Sequence, residues 1–101
     1  MKNLLIAFCF LFSSTTSAGD IESMLKQNNC VACHTLDRKL VGPSFKSVAE
    51  KYREVPNASD LLVKKIQSGG KGVWGNMNMP PYKDKLSIGS TNNIVNWILS
   101  K

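Results

Sequence analysis

The chain has 101 residues, 43% of them hydrophobic, with 13 Lys and Arg against 7 Asp and Glu, for a formal charge of +6. That length fits one small domain, and the absence of an Arg-rich stripe with interleaved aromatics argues against nucleic acid as a partner. A mild basic excess of scattered Lys fits a solvated surface, and it also fits guidance toward an acidic partner or an anionic membrane face.

Lys2, the apolar run 4–12 and the small residues Ser13 to Ala18 form the three parts of a secretory signal peptide. The run is far short of the about 20 apolar residues of a spanning helix, so stable membrane insertion is not expected. Residues 1–18 are therefore read as an export signal and 19–101 as the domain, with periplasmic localisation. Cys9 falls in the discarded segment, and Phe8 before it is bulkier than a lipoprotein cleavage site wants.

Asp20 is a candidate cap for a first helix over residues 21–28, with Ile21, Met24 and Leu25 on one face. That helix runs into Cys30-Val31-Ala32-Cys33-His34, and C-x-x-C-H is the attachment signature of a c-type haem. On a helical turn the three side chains share one face. Both sulfurs can then bond the porphyrin edge while the His34 ring reaches the iron. A thioredoxin-like dithiol would sit where a strand enters a helix, and no strand alternation precedes Cys30. A structural zinc site needs about four ligands, and Cys9 is the only other Cys or His in the chain.

After Leu40-Val41-Gly42-Pro43, Ser44 is a candidate N-cap for a helix with Phe45, Val48, Ala49 and Tyr52 on one side. Pro56-Asn57 breaks the chain. A third helix starting at Ser59 or Asp60 turns Leu62 and Ile66 inward and stops at Gly69-Gly70. Residues 71–90 show neither helical nor strand periodicity, and Trp74, Met77, Met79 and Tyr82 argue for an ordered functional loop. Ser90 or Thr91 is expected to cap a last helix carrying Ile94, Val95, Ile98 and Leu99, with Trp97 alongside. The fold class is all-α, about four short helices around one haem.

His34 is the only histidine, so a second imidazole ligand and a second haem are excluded within one chain. Met or Lys remain as sixth ligands, and Met is common opposite His in cytochromes c. Met24 precedes the motif on the proximal side. Met79 is followed by Pro80-Pro81, which fix their own φ and hold the residue before them extended. Met79 is thus the preferred ligand and Met77 the alternative.

Cys30-Val31-Ala32-Cys33-His34, Val41-Gly42-Pro43, Gly72-Val73-Trp74-Gly75 and Met79-Pro80-Pro81, in this order, resemble the short bacterial class I cytochromes c of the c-551 type. The resemblance covers residues 19–101. It implies that the Pro43 carbonyl accepts from the non-ligating nitrogen of His34, that Trp74 points its N–H at a haem propionate, and that Lys65 lies near the same propionate. In relatives an Asn or Gln often follows Met-Pro-Pro and touches the Met sulfur. Tyr82 stands there in this chain, which leaves that contact, and the fine setting of the reduction potential, open.

With both axial positions filled, iron has no vacant site for substrate, and such a centre passes electrons. The expected function is a monomeric periplasmic electron carrier of the respiratory chain and not an enzyme. The resemblance implies a quinol-oxidising complex as donor and a nitrite reductase, peroxidase or terminal oxidase as acceptor. The alternatives are a haem enzyme or a gas or peroxide sensor in which Met79 dissociates, and a haem-free redox or binding module. Whether Lys26, Lys64, Lys71, Lys83 and Lys85 form a docking ring is not legible in the sequence.

Overall fold

A computed structural model describes Cys9 and residues 18–101. Apart from Cys9 and Ala18, the expected signal peptide lies outside the described residues. Cys9 itself is exposed with a free thiol. Among the described residues no helix is long and apolar enough to cross a membrane.

Four helices make the domain: α1 (Ala18–Gln27), α2 (Phe45–Tyr52), α3 (Ala58–Ser68) and α4 (Ile88–Leu99), with a 3-10 turn at Cys30–Ala32. The helix α1 starts earlier than the sequence pattern indicates, and Asp20 lies inside its first turn instead of capping it. There the carboxylate faces the positive end of the helix dipole.

Ser44 caps α2 as expected, its hydroxyl accepting from the Ser47 N–H at 3.1 Å. Such a cap contributes about 1 kcal/mol. The helix buries Phe45, Val48, Ala49 and Tyr52, the stripe the spacing prescribes. The helix α3 begins at Ala58, one to two residues before the Ser59 or Asp60 start. It follows Asn57 in the left-handed conformation, φ 59°, which the short polar Asn tolerates better than most residues. It ends at Gly69, φ 67°, whose N–H donates to the Lys65 carbonyl at 2.8 Å.

The last helix departs most from expectation. Ser87, and not Ser90 or Thr91, is its cap, with the hydroxyl accepting from the Ser90 N–H at 3.0 Å. The irregular segment therefore ends three residues sooner. Thr91 is buried inside the helix, and its hydroxyl donates to the Ser87 carbonyl at 2.8 Å.

Each of the other three helices packs against α4. Its Ile94, Val95 and Ile98 meet Ile21 and Leu25 of α1, Phe45 and Val48 of α2 and Leu62 of α3 in one core. Burying such aliphatic side chains contributes roughly 1.5–3 kcal/mol each. The core closes on one side only. On the other it opens into a cleft between the turn after α1 and the long segment after α3.

Candidate functional site

The Cys30 turn is built by capping the end of α1. Asn28 turns its amide Nδ2 and its backbone N–H onto the Met24 carbonyl, at 2.8 and 3.1 Å. Asn29 then reverses the chain in the left-handed conformation, φ 58°. From there Cys33 N and His34 N both donate to the Cys30 carbonyl, at 3.1 and 2.9 Å. One tight turn thus carries two thiols and an imidazole, and all three line the cleft. Neither thiol is in a disulfide. Burial pushes the Cys30 thiol above its ordinary value, which disfavours its thiolate.

His34 is fixed from three directions. Its Nδ1 lies 2.7 Å from the Pro43 carbonyl; since a carbonyl only accepts, Nδ1 carries the proton and Nε2 keeps its lone pair for a metal. Phe45 stacks on the ring at 5.6 Å between centroids, and Trp97 meets Phe45 edge-on at 5.2 Å. Gly42 packs flat against the imidazole, so close that a β-carbon there would stand 2.5 Å from Cε1. The Gly42 N–H donates to the Cys33 carbonyl at 2.8 Å, which ties this loop to the turn.

A separate stretch of chain supplies the rest of the cleft. Gly70 and Met79 exchange a pair of backbone hydrogen bonds, at 3.0 and 2.9 Å. The two chains meet so tightly that a β-carbon on Gly69 would collide with the Met79 carbonyl oxygen. Met79 is half-buried against the core, whereas Met77 is 69% exposed although it also borders the cleft. Trp74 and Lys65 line the same cleft. The Trp74 ring is 42% exposed, with Lys51 Nζ 5.4 Å from its centroid. Of the lysines whose arrangement the sequence left open, Lys71 borders this cleft.

Tyr82 does something the sequence does not reveal. Its ring is buried, and its hydroxyl donates to the Asn28 carbonyl at 2.9 Å. The hydroxyl is thereby directed to the backbone just before Cys30. Burial pushes it above the usual tyrosine range, and Cys30 and Cys33 add to the shift. Gln67 is the other unforeseen residue: its amide Nε2 donates to the Leu86 carbonyl at 2.9 Å and to Thr91 Oγ1 at 2.7 Å. Tyr82 follows the Met-Pro-Pro run but Gln67 belongs to no motif, and each contact joins positions far apart in the chain. Gly42 carried a signal, since Val-Gly-Pro so near a lone His marks a close backbone approach.

The donor set suits a covalently held haem. Two free thiols and an imidazole with a free Nε2 stand on one turn, a thioether comes from the second segment, and Val48, Leu62, Ile94 and Ile98 give the cleft an apolar floor. A closed metal site is a poor fit: among the described residues no group of three or more His, Cys, Asp or Glu is placed to hold an ion.

Comparison with known proteins agrees with that geometry. The family model described as "Cytochrome c" matches residues 21–101. The cytochrome c-552 of Hydrogenobacter thermophilus is 39% identical over 100 residues, covering 99% of this chain and 98% of that one. The cytochrome c-551 of Pseudomonas aeruginosa is 37% identical over 97 residues, 96% of this chain and 91% of that one. Among solved structures, wild-type Nitrosomonas europaea cytochrome c552 superposes with a TM-score of 0.73 at 39% identity, over 78% of this chain and 96% of that one.

Proposed function

The chain belongs to the cytochrome c family, as a class I member of the c-551/c-552 type with one covalent haem c on Cys30 and Cys33, and from that premise we propose a periplasmic electron carrier with His34 and Met79 as axial ligands. The protein is a monohaem electron carrier and not an enzyme, as its relatives' type implies. The haem supplies a one-electron Fe(II)/Fe(III) couple.

One observation carries the ligand assignment. The Pro43 carbonyl holds the proton on His34 Nδ1, so Nε2 is the basic nitrogen on the turn that bears both thiols. That hydrogen bond fixes the ring plane and raises the basicity of the ligating nitrogen. Met79, braced by Gly70 and by the diproline after it, supplies a soft sulfur that favours Fe(II). The apolar lining disfavours the extra charge of Fe(III), so the potential lies on the positive side. Trp74 and Lys65 are the donors offered to the propionates. Lys65 gives a point charge there and not the planar fork of an Arg.

Residues 1–18 serve as the export signal, and residues 19–101 act as a monomer. Transfer between such carriers and their partners needs only small, brief contacts guided by charge. A quinol-oxidising complex is the donor class. A nitrite reductase, peroxidase or terminal oxidase is the acceptor class.

Mass spectrometry and visible spectra of the exported protein test this reading. The expected result is one haem added to the polypeptide mass, a weak long-wavelength sulfur-to-iron band in the ferric spectrum, and little change when carbon monoxide meets the reduced form. Rapid carbon monoxide binding would replace the carrier with a ligand-binding haem protein, and a colourless product of bare polypeptide mass would overturn the site altogether.

A further inference from the structure

We propose that Tyr82 is a positioning residue that latches the Met79 segment to the haem-attachment turn through its hydrogen bond to the Asn28 carbonyl, and so holds the Met79 sulfur on the iron. This rests on Met79 being the axial ligand. Among the described residues, the Tyr82–Asn28 bond, 2.9 Å long, is the one hydrogen bond between residues 69–87 and residues 18–34. Every other hydrogen bond of the segment runs within itself or to the end of α3 and the start of α4. Tyr82 Oη is therefore the direct polar tie between the two sides of the cleft.

The tie acts on Met79 because the link between them is stiff. Pro80 and Pro81 have fixed φ and no N–H, and they lie flat against Gly69, where a β-carbon would stand 2.8 Å from Pro81 N and 2.9 Å from Pro80 C. Tyr82 is itself anchored: its N–H donates to the Ile66 carbonyl at 3.1 Å, and its carbonyl accepts from Lys85 and Leu86, each at 2.9 Å. The sulfur can leave the iron by side-chain rotation alone, but an entering ligand as large as imidazole then needs room in the cleft, which the segment makes by moving off Gly70 or outward with this anchored unit. The buried phenol resists the second movement.

The test compares ferric Tyr82→Phe holoprotein with wild type, using imidazole as the external ligand that must displace the sulfur. Phe keeps the ring and removes only the hydroxyl. Imidazole affinity is expected to rise about three- to tenfold, the effect of losing one neutral hydrogen bond. The Met79 amide, which donates to Gly70, is expected to exchange faster with solvent while the Val95 amide does not. Ile21→Val, which removes one methylene from the core at a position that does not line the cleft, controls for general loss of stability.

An equal rise in imidazole affinity in Ile21→Val overturns the latch, since global stability then explains the effect. A sulfur-to-iron band present in wild type together with unchanged imidazole affinity in Tyr82→Phe overturns the latch alone. A wild-type spectrum without that band, and unaltered by Met79→Ala, removes the ligand reading and the latch with it.

Discussion

Gly42 and His34 are in face-to-face contact: a single added methyl on Gly42 would come within 2.5 Å of Cε1, 2.9 Å of Nδ1 and 3.2 Å of Nε2. The glycine is needed for space, since its backbone is not among those with positive φ. Gly42→Ala is expected to push the imidazole off the Pro43 carbonyl and cost about 1–3 kcal/mol in overpacking. Thermal unfolding of the holoprotein checks the loss, and an altered ferric spectrum checks the displaced ring.

The two methionines of the loop separate cleanly by environment. Met79 is half-buried and paired with Gly70, while Met77 is 69% exposed. Met79→Ala is expected to abolish the long-wavelength ferric band and open the iron to carbon monoxide, and Met77→Leu to leave both readouts unchanged. Visible spectra of the two variants decide it, and the reverse pattern would transfer the ligand role to Met77.

The start of α4 depends on a polar relay in which Gln67 donates to Thr91 Oγ1 and Thr91 donates to the Ser87 carbonyl, at 2.7 and 2.8 Å. Thr91 is fully buried. Thr91→Val keeps the shape but deprives Gln67 of one acceptor and the Ser87 carbonyl of one of its two donors, the Thr91 N–H remaining at 2.9 Å. The expected loss is about 1–3 kcal/mol, or several degrees in Tm for a domain of this size.

Alkaline pH should weaken the fold through Tyr82. Burial raises its hydroxyl above the usual range, so the folded state holds the proton longer than the unfolded chain. The stabilisation is complete below about pH 10 and fades as pH climbs from there through the folded-state value. Tyr82→Phe has nothing to titrate at that position. Its Tm is therefore expected to fall less steeply than wild type between about pH 9 and 12, as scanning calorimetry would show.

Local chemistry was legible in the sequence wherever one residue decided the outcome. Ser44 caps α2 because a hydroxyl followed by an apolar stripe leaves few other arrangements, and Cys30 to His34 share a turn because their spacing requires it. The start of α4 was harder, because Ser87, Ser90 and Thr91 are all capable caps within one turn. Ile88, 66% exposed, and Gly89 resemble loop residues, and tertiary contacts from Gln67 made the choice. The Tyr82 hydroxyl finds a backbone carbonyl 54 positions away, and no periodicity or motif encodes such a meeting.

Because α4 is the surface on which the other three helices rest, a ribosome must release the chain through α4 before the shared core can close. Cys30, Cys33, His34 and Met79 all precede that helix, so these cleft-lining residues are synthesised before the scaffold that shapes their pocket. Whatever enzyme forges the thioether bonds can therefore meet an open, accessible ribbon, and a chain truncated before Ile88 would keep all four of these residues yet have nothing to lock them in place.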